Sequence, residues 1–205
     1  MKKNKKTIVF DWKKEMKKEE LLTVVKVLEN DGIIVFPTDT VYGIACNGFS
    51  ETAIQQLYEI KNRPLSKPIC VLTDSLDNIK KIAETNQKEE EIIKTYMPGA
   101  LTIVLKKKNN IPNLLTAGFD TVGVRIPDHQ MVLTILKDCS FPLATTSANE
   151  SGEKEGRDLE DVYKDFFGKV DIIIDGGPSK SSKASTIIKI EQDQIQVLRE
   201  GNIKF

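Results

Sequence analysis

This sequence predicts an α/β fold: a single domain, residues 1–205, in which a twisted sheet of mixed parallel and antiparallel strands is flanked by helices. Three observations carry the expectation. Short apolar runs alternate along the chain with longer amphipathic stretches, the pattern of strands separated by helices. Two pairs of predicted strands, near residues 101–126 and 185–200, lie too close in sequence to enclose a crossover helix, so antiparallel neighbours must be mixed into the sheet. No repeat, low-complexity linker or shift in composition divides the 205 residues, a length that suits one core.

Residues 7–12 (TIVFDW) read as a short strand. Over residues 15–30, Leu21, Leu22, Val24, Val25 and Leu28 fall on one helical stripe, and Gly32 offers a C-terminal stop. Residues 33–36 form the next strand, which ends at Pro37. Ser50 is the N-cap of a helix running to about Lys61, with Ala53, Ile54, Leu57, Tyr58 and Ile60 apolar, and Pro64 closes it. Residues 68–73 (PICVLT) return to strand, Ser75 caps a helix to about Glu84, and residues 87–96 form another. LTIVLKK (101–107), TVGVRIP (121–127) and FPLATTS (141–147) are strands, with a helix over 129–138 between the last two. A helix over 158–167, the strand DIIID (171–175) and an antiparallel pair, STIIKIE and QIQVLRE, turning at Gln192-Asp193, complete the chain.

Apolar residues at 40% and charged residues at 29% place the chain among ordinary soluble globular proteins. Thirty basic and thirty acidic side chains cancel, so no global charge draws it to nucleic acid. No run approaches the roughly 18 apolar residues of a membrane helix. The basic start, MKKNKK, leads into TIVFDW and more lysines rather than the apolar centre of a signal peptide, which makes the cytoplasm the expected location. Cys46, Cys70 and Cys139 are odd in number, widely spaced and set among apolar neighbours, so they read as reduced core thiols rather than disulfides or a metal cluster. His129, the only histidine, stands at a helix start and reads as a solvated polar residue.

Polar motifs recur where strands end: PTDT, KNRPLSKP, TTSANESG, DGGPSKSS and LREG. Strand ends are where open α/β sheets gather ligands. PTDTVYG (37–43) delivers three hydroxyls and a carboxylate immediately after a buried-looking strand, and Asp39 within it is either a turn-former or an outer ligand of a metal ion. KNRPLSKP (61–68) sets Lys61, Arg63 and Lys67 between two restricting prolines. That is a preorganised anion clamp, or the solvated basic terminus that a helix dipole favours. Against 26 lysines there are four arginines, Arg63, Arg125, Arg157 and Arg199, each beside a Gly or Pro turn, and each with the planar fork that suits carboxylate or phosphate. Arg125 sits in an apolar strand and must meet an anion, a structural carboxylate or that of a substrate. TTSANESG supplies hydroxyls and an amide as a loop around a small polar molecule requires, and as ordinary Ser/Asn turn chemistry also produces. Neither the P-loop nor the dinucleotide fingerprint occurs, and aromatic and basic residues do not interleave as in single-strand RNA readers. From the residues alone, the chain holds a phosphate-bearing polyanion through Lys and Arg, beside a small hydroxyl-bearing partner.

Taken in order, PTDTVYG, KNRPLSKP, TVGVRIP, TTSAN, DGGP, ASTII and LREG resemble the YrdC-like threonylcarbamoyl-AMP synthases over roughly residues 20–203. The resemblance implies a concave ligand-binding face on which L-threonine, bicarbonate and ATP become threonylcarbamoyl-AMP and pyrophosphate. The product then goes to a partner threonylcarbamoyl transferase complex that modifies an adenosine next to the anticodon of certain tRNAs, with direct RNA contact left open. It implies ATP binding by Lys61, Arg63, Lys67, Thr121, Ser147, Asn149 and Arg199, with Lys61 and Arg63 as the catalytic cations on the phosphates. Threonine binding is implied for Thr40, Arg125, Thr145 and Ser185. Mg²⁺ is expected to be held mainly by the nucleotide phosphates, since no acidic cluster is visible as a protein cage.

The sequence also departs from the family pattern. Leu72 stands where many longer members carry a histidine, PGALT puts Ala100 in the place of a proline, and EKEGRD (153–158) does not match a Ser/Pro/Thr-rich stretch, which leaves Arg157 out of the expected site. The sequence stops at Phe205 without the further C-terminal domain of longer relatives, so access control from that domain is expected to be missing. Two other classes are carried: an RNA-binding or ribosome-assembly factor, which the zero net charge disfavours, and a carbamoyl-transfer module of the hydrogenase-maturation kind, which normally sits inside a much longer chain.

Overall fold

Ten strands join into one sheet in the computed structural model of the chain, which describes residues 6–149, 159–179, 181 and 183–205. In chain order the elements are β1 (Ile8–Asp11), α1 (Lys18–Glu29), β2 (Ile34–Phe36), β3 (Gly43–Asn47), α2 (Glu51–Ile60), β4 (Cys70–Leu72), α3 (Leu76–Ile82), α4 (Gln87–Tyr96), β5 (Leu101–Lys106), β6 (Thr121–Arg125), α5 (Gln130–Asp138), β7 (Leu143–Ser147), α6 (Leu159–Phe166), β8 (Ile172–Asp175), β9 (Thr186–Glu191) and β10 (Gln194–Arg199). The strands lie in the order β1-β8-β2-β3-β7-β4-β6-β5-β9-β10. Pairs β1/β8, β2/β8, β4/β6 and β5/β9 are parallel. The short connections do give antiparallel pairs, β5/β6 and β9/β10. Among the described residues no helix is long and apolar enough to cross a membrane.

Local signals account for most of the boundaries. Ser50 and Ser75 cap α2 and α3 by accepting from the Ala53 and Asn78 amides. Gln192 and Asp193 both take positive φ, 47° and 61°, the geometry of the two-residue turn that joins β9 to β10. Gly32 ends α1 for a different reason than expected. The left-handed residue is Asp31 (φ 61°), while a Cβ on Gly32 would stand 2.3 Å from Val27 Cγ1, so Gly32 is there for close approach.

One strand was not expected from the sequence. β3 (GIACN) is buried at four consecutive positions, so it shows no alternation, and only its pairing with β2 and β7 reveals it.

Helices cover the two faces unequally. On one face Leu57, Ile79, Ile93 and Phe166, from α2, α3, α4 and α6, pack against Val35, Ile44, Val71, Ile103, Val124 and Ile173. On the other, Leu21, Val24, Leu28, Val132 and Ile135 of α1 and α5 meet Ile34, Phe36, Ala45, Leu143 and Ile172. The second pair of helices covers the sheet from β1 to β7 and reaches β4 only at Leu72. Beyond it, the strands β4, β6, β5 and β9 present their alternate residues to open space.

Candidate active site

That uncovered half of the face forms the floor of a cavity of about 430 Å³. Period-two alternation decides what lies on it. In β6, Val122 and Val124 go to the core, while Thr121, Gly123 and Arg125 face the cavity; in β5, Thr102 and Val104 do the same. Gly123 keeps the floor low: a Cβ there would lie 3.0 Å from Cys70 Sγ and 3.3 Å from Thr102 Cγ2. Cys46 and Cys139 are buried thiols as expected, but Cys70 lines the cavity rather than the core.

The turn after β2 is ordered by its own hydroxyls. Thr38 Oγ1 donates to the Val41 carbonyl (2.7 Å), which commits its single proton, so Thr40 Oγ1 donates to Thr38 (2.9 Å) and presents a lone pair to Arg125 Nη1 (3.1 Å). Arg125 Nη2 meets Asp39 Oδ1 at 2.6 Å, and Nε donates to the Gly99 carbonyl at 2.9 Å. Both partners of this ion pair are nearly buried, with side chains 8% and 10% exposed. The anion that Arg125 demanded is therefore Asp39, which acts neither as a mere turn-former nor as a free outer ligand. Three of the guanidinium's five N–H groups are used, and two remain for another acceptor. Tyr42, buried beside this turn, donates to the Gly177 carbonyl (2.8 Å) and ties PTDTVYG to DGGP.

The other cations of the cavity meet no carboxylate among the described residues. Arg63 donates to the carbonyls of Lys67 (3.1 Å) and Pro68 (2.8 Å), which folds residues 64–68 around it. Burial lowers its pKa, as does the nearby positive charge of Arg199. Arg199 holds Ser185 by its carbonyl (2.8 and 3.0 Å) and hydroxyl (3.1 Å), and Ser185 in turn meets Thr102 at 2.8 Å. With Lys67 exposed at the rim, three uncompensated cations border one hollow. An anion placed among them relieves both their mutual repulsion and the cost of keeping a guanidinium out of water.

Nine of the eleven expected residues line this cavity: Thr40, Arg63, Lys67, Thr121, Arg125, Thr145, Ser147, Ser185 and Arg199. Lys61 and Asn149 do not. Lys61 is 1% exposed, and its Nζ donates to the Ser147 carbonyl; Asn149 accepts from Ser147 Oγ at 2.6 Å, so both brace Ser147 from behind. Arg157 lies outside the described residues. Sequence reasoning missed Thr38, Tyr42, Cys70, Thr102 and Gly123. The alternation in TVGVR and LTIVL could have found the last two, whereas Cys70 carries no such signal. His129 is half-buried at the N-cap of α5, is not among the lining residues, and supplies no capping bond. Among the described residues no group of three His, Cys, Asp or Glu side chains is placed to share a metal ion.

A family model named for Sua5, YciO and YrdC, with the description telomere recombination, matches residues 26–201. The chain belongs to the Sua5/YciO/YrdC family. Among its relatives is a candidate threonylcarbamoyl-AMP synthase of Methanocaldococcus jannaschii, 40% identical over 202 residues, which cover 98% of this chain and 95% of the relative. The threonylcarbamoyl-AMP synthase of Pyrococcus abyssi is 32% identical over 198 residues, 96% of this chain. This Sua5/YciO/YrdC chain spans only 58% of that longer protein. The crystal structure of P. abyssi Sua5 complexed with L-threonine superposes with a TM-score of 0.92 at 32% identity, covering 95% of this chain and 58% of that one.

Proposed function

We propose that this chain is an L-threonylcarbamoyladenylate synthase, which condenses L-threonine, bicarbonate and ATP to threonylcarbamoyl-AMP and pyrophosphate. One observation carries the reading. The uncompensated cations Arg63, Lys67 and Arg199 share a single cavity with the hydroxyl-lined, internally neutral end formed by Thr40, Arg125–Asp39 and Thr145. The relatives named as threonylcarbamoyl-AMP synthases and the threonine-bound Sua5 support it.

In this reading threonine lies at the neutral end, its carboxylate on the two remaining N–H groups of Arg125 and its hydroxyl among Thr40, Thr145 and Ser147. Its ammonium group first gives up a proton; the neutral amine then attacks the carbon of bicarbonate, the C–N bond forms, and hydroxide leaves as water with a second proton from that nitrogen. The described lining residues include no carboxylate or imidazole, so the first proton passes to water. A carbamate oxygen then attacks the α-phosphorus, and the bond to the bridging oxygen breaks as pyrophosphate departs with its electron pair. No protein nucleophile is needed. Catalysis comes from holding the reactants in line and from Arg63, Lys67 and Arg199 opposing the charge that develops on the phosphates. Lys61 and Asn149 hold Ser147 in place. ATP is taken as its magnesium complex, with the ion held by the nucleotide phosphates. The mixed anhydride passes to a threonylcarbamoyl transferase complex acting on tRNA, which places the enzyme in the cytoplasm.

Pyrophosphate release from ATP tests this directly. It is expected to need both threonine and bicarbonate, and to fall about 10²-fold in Arg63→Ala, the size of effect seen when one preorganised donor is removed. Release that ignores threonine would overturn the reading.

A further inference from the structure

The loop that carries Arg63 is gripped twice by one residue of α2 that does not itself line the cavity. Tyr58 is 2% exposed and belongs to the core with Ala53, Ile54 and Leu57. Beyond it the helix ends in a left-handed turn: Lys61 is the C-cap and Asn62 takes φ 48°. The Asn62 amide donates to the Glu59 carbonyl (3.2 Å) and the Arg63 amide to the Tyr58 carbonyl (2.9 Å). These two bonds make a Schellman motif, in which an apolar contact commonly joins the two residues of the longer bond. Here those two residues are Tyr58 and Arg63.

The far end of the same side chain reaches the same loop. Tyr58 Oη donates its one proton to the Lys67 carbonyl (2.9 Å), with the Leu114 carbonyl next in reach (3.3 Å). Arg63 Nε donates to that same Lys67 oxygen (3.1 Å). A carbonyl oxygen has two lone pairs, and Tyr58 and Arg63 occupy both. The oxygen is thereby fixed, and the guanidinium that rests on it is fixed too. Burial raises the pKa of the phenol and the neighbouring Arg63 opposes this only in part, so the hydroxyl stays a neutral donor. The Leu114 side is anchored in turn: the Ile69 amide donates to the Leu115 carbonyl (2.9 Å), and Lys107 Nζ holds the Asn113 and Thr116 side chains (2.6 and 3.2 Å). Buried tyrosine hydroxyls usually find a partner. What sets Tyr58 apart is that it shares its acceptor with a cation that reaches the cavity, while its own ring stays in the core.

Resting on the proposed function, we propose that Tyr58 is a positioning residue for the reaction. It touches no substrate; its hydroxyl holds the Arg63 guanidinium, through the shared Lys67 carbonyl, where charge develops on the phosphates. The effect falls on the chemical step and not on threonine, whose end of the cavity is built by other residues.

Steady-state pyrophosphate release by the intact protein tests this with Tyr58→Phe, which keeps the ring and removes the donor. Because a group displaced from its productive geometry slows the reaction, kcat is expected to fall about tenfold while KM for threonine stays within about twofold. A smaller folded fraction would also lower kcat, so the comparison is repeated in Arg63→Ala. Protein lost to misfolding is lost in both backgrounds alike. A hydroxyl that acts through the guanidinium has nothing to position once that group is gone, and the further loss there is expected to shrink below about twofold. An unchanged kcat in Tyr58→Phe, a loss seen in the threonine KM instead, a loss that persists undiminished in Arg63→Ala, or a Tyr58→Phe chain that does not fold overturns the proposal and leaves the synthase reading standing. Wild-type protein that releases pyrophosphate without regard to threonine defeats the synthase reading and this role of Tyr58 with it.

Discussion

At the scale of single residues, the pairing of Arg125 with Asp39 is the most consequential contact in the site. It is nearly buried at 2.6 Å, and removing one member of such a pair leaves an uncompensated charge. Asp39→Asn is therefore expected to lower the unfolding free energy by about 3 kcal/mol in denaturant titration, while a conservative change at exposed Lys67 should leave it within about 0.5 kcal/mol. That Arg125 needs an anion was legible, because a guanidinium in an apolar strand cannot stay bare. Which anion was not: the two residues are 86 apart in sequence, and only the fold brings them together. The thiols give a second test. Burial pushes Cys139 up to about 12 and Cys46 higher still. Neither is expected to react with iodoacetamide at pH 8 until the protein unfolds, and rapid labelling of either in the native state would contradict their burial.

The elements follow their local signals closely, and their caps can be weighed. Asn86 forms a capping box with Glu89 at the start of α4, accepting from the Glu89 amide (3.0 Å) while the Glu89 carboxylate accepts from the Asn86 amide (2.8 Å). Asn86→Ala is expected to cost about 1 kcal/mol, read as a shift in the denaturation midpoint. One turn further on, Glu90 joins α4 to α3. Hydrogen bonds from Lys80 and then Thr85 hold its carboxyl below the ordinary carboxylate range. A depressed folded pKa means a contribution that is complete above the unfolded value, about 4.3, and lost as pH falls through the folded one. Glu90→Gln should thus lower stability at pH 7, with the difference from wild type closing in acid. The strands were harder to read than the helices. β3 carried no alternation because both of its faces are covered, whereas β5 and β6 alternate because one face is open. The same physical difference that hid one strand marked the floor of the site.

For the whole molecule, the decisive feature is which half of the sheet the helices leave bare. The sequence shows α1 and α5 as amphipathic helices, but not that both settle over the strands from β1 to β7, with Leu72 of β4 at their edge, since that depends on sheet order. Nor does it show that Lys61 turns inward while Arg63, two residues on, faces the cavity. The open half decides substrate range. Threonine exceeds serine by one methyl, worth about 0.8 kcal/mol on burial, so serine should compete with only about a fourfold disadvantage. Valine keeps the shape but loses the hydroxyl, and a site lined by Thr40, Thr145 and Ser147 can reject it by up to ~10⁴–10⁵; equal turnover of valine in competition assays would refute the hydroxyl-lined pocket. The central claim, that one cavity joins amino acid, bicarbonate and nucleotide, is tested most directly by mass spectrometry of the products formed from ¹³C-bicarbonate, L-threonine and ATP. The account predicts a single adenylate that carries both the label and threonine. An unlabelled adenylate, or a labelled one formed equally well without threonine, would contradict it.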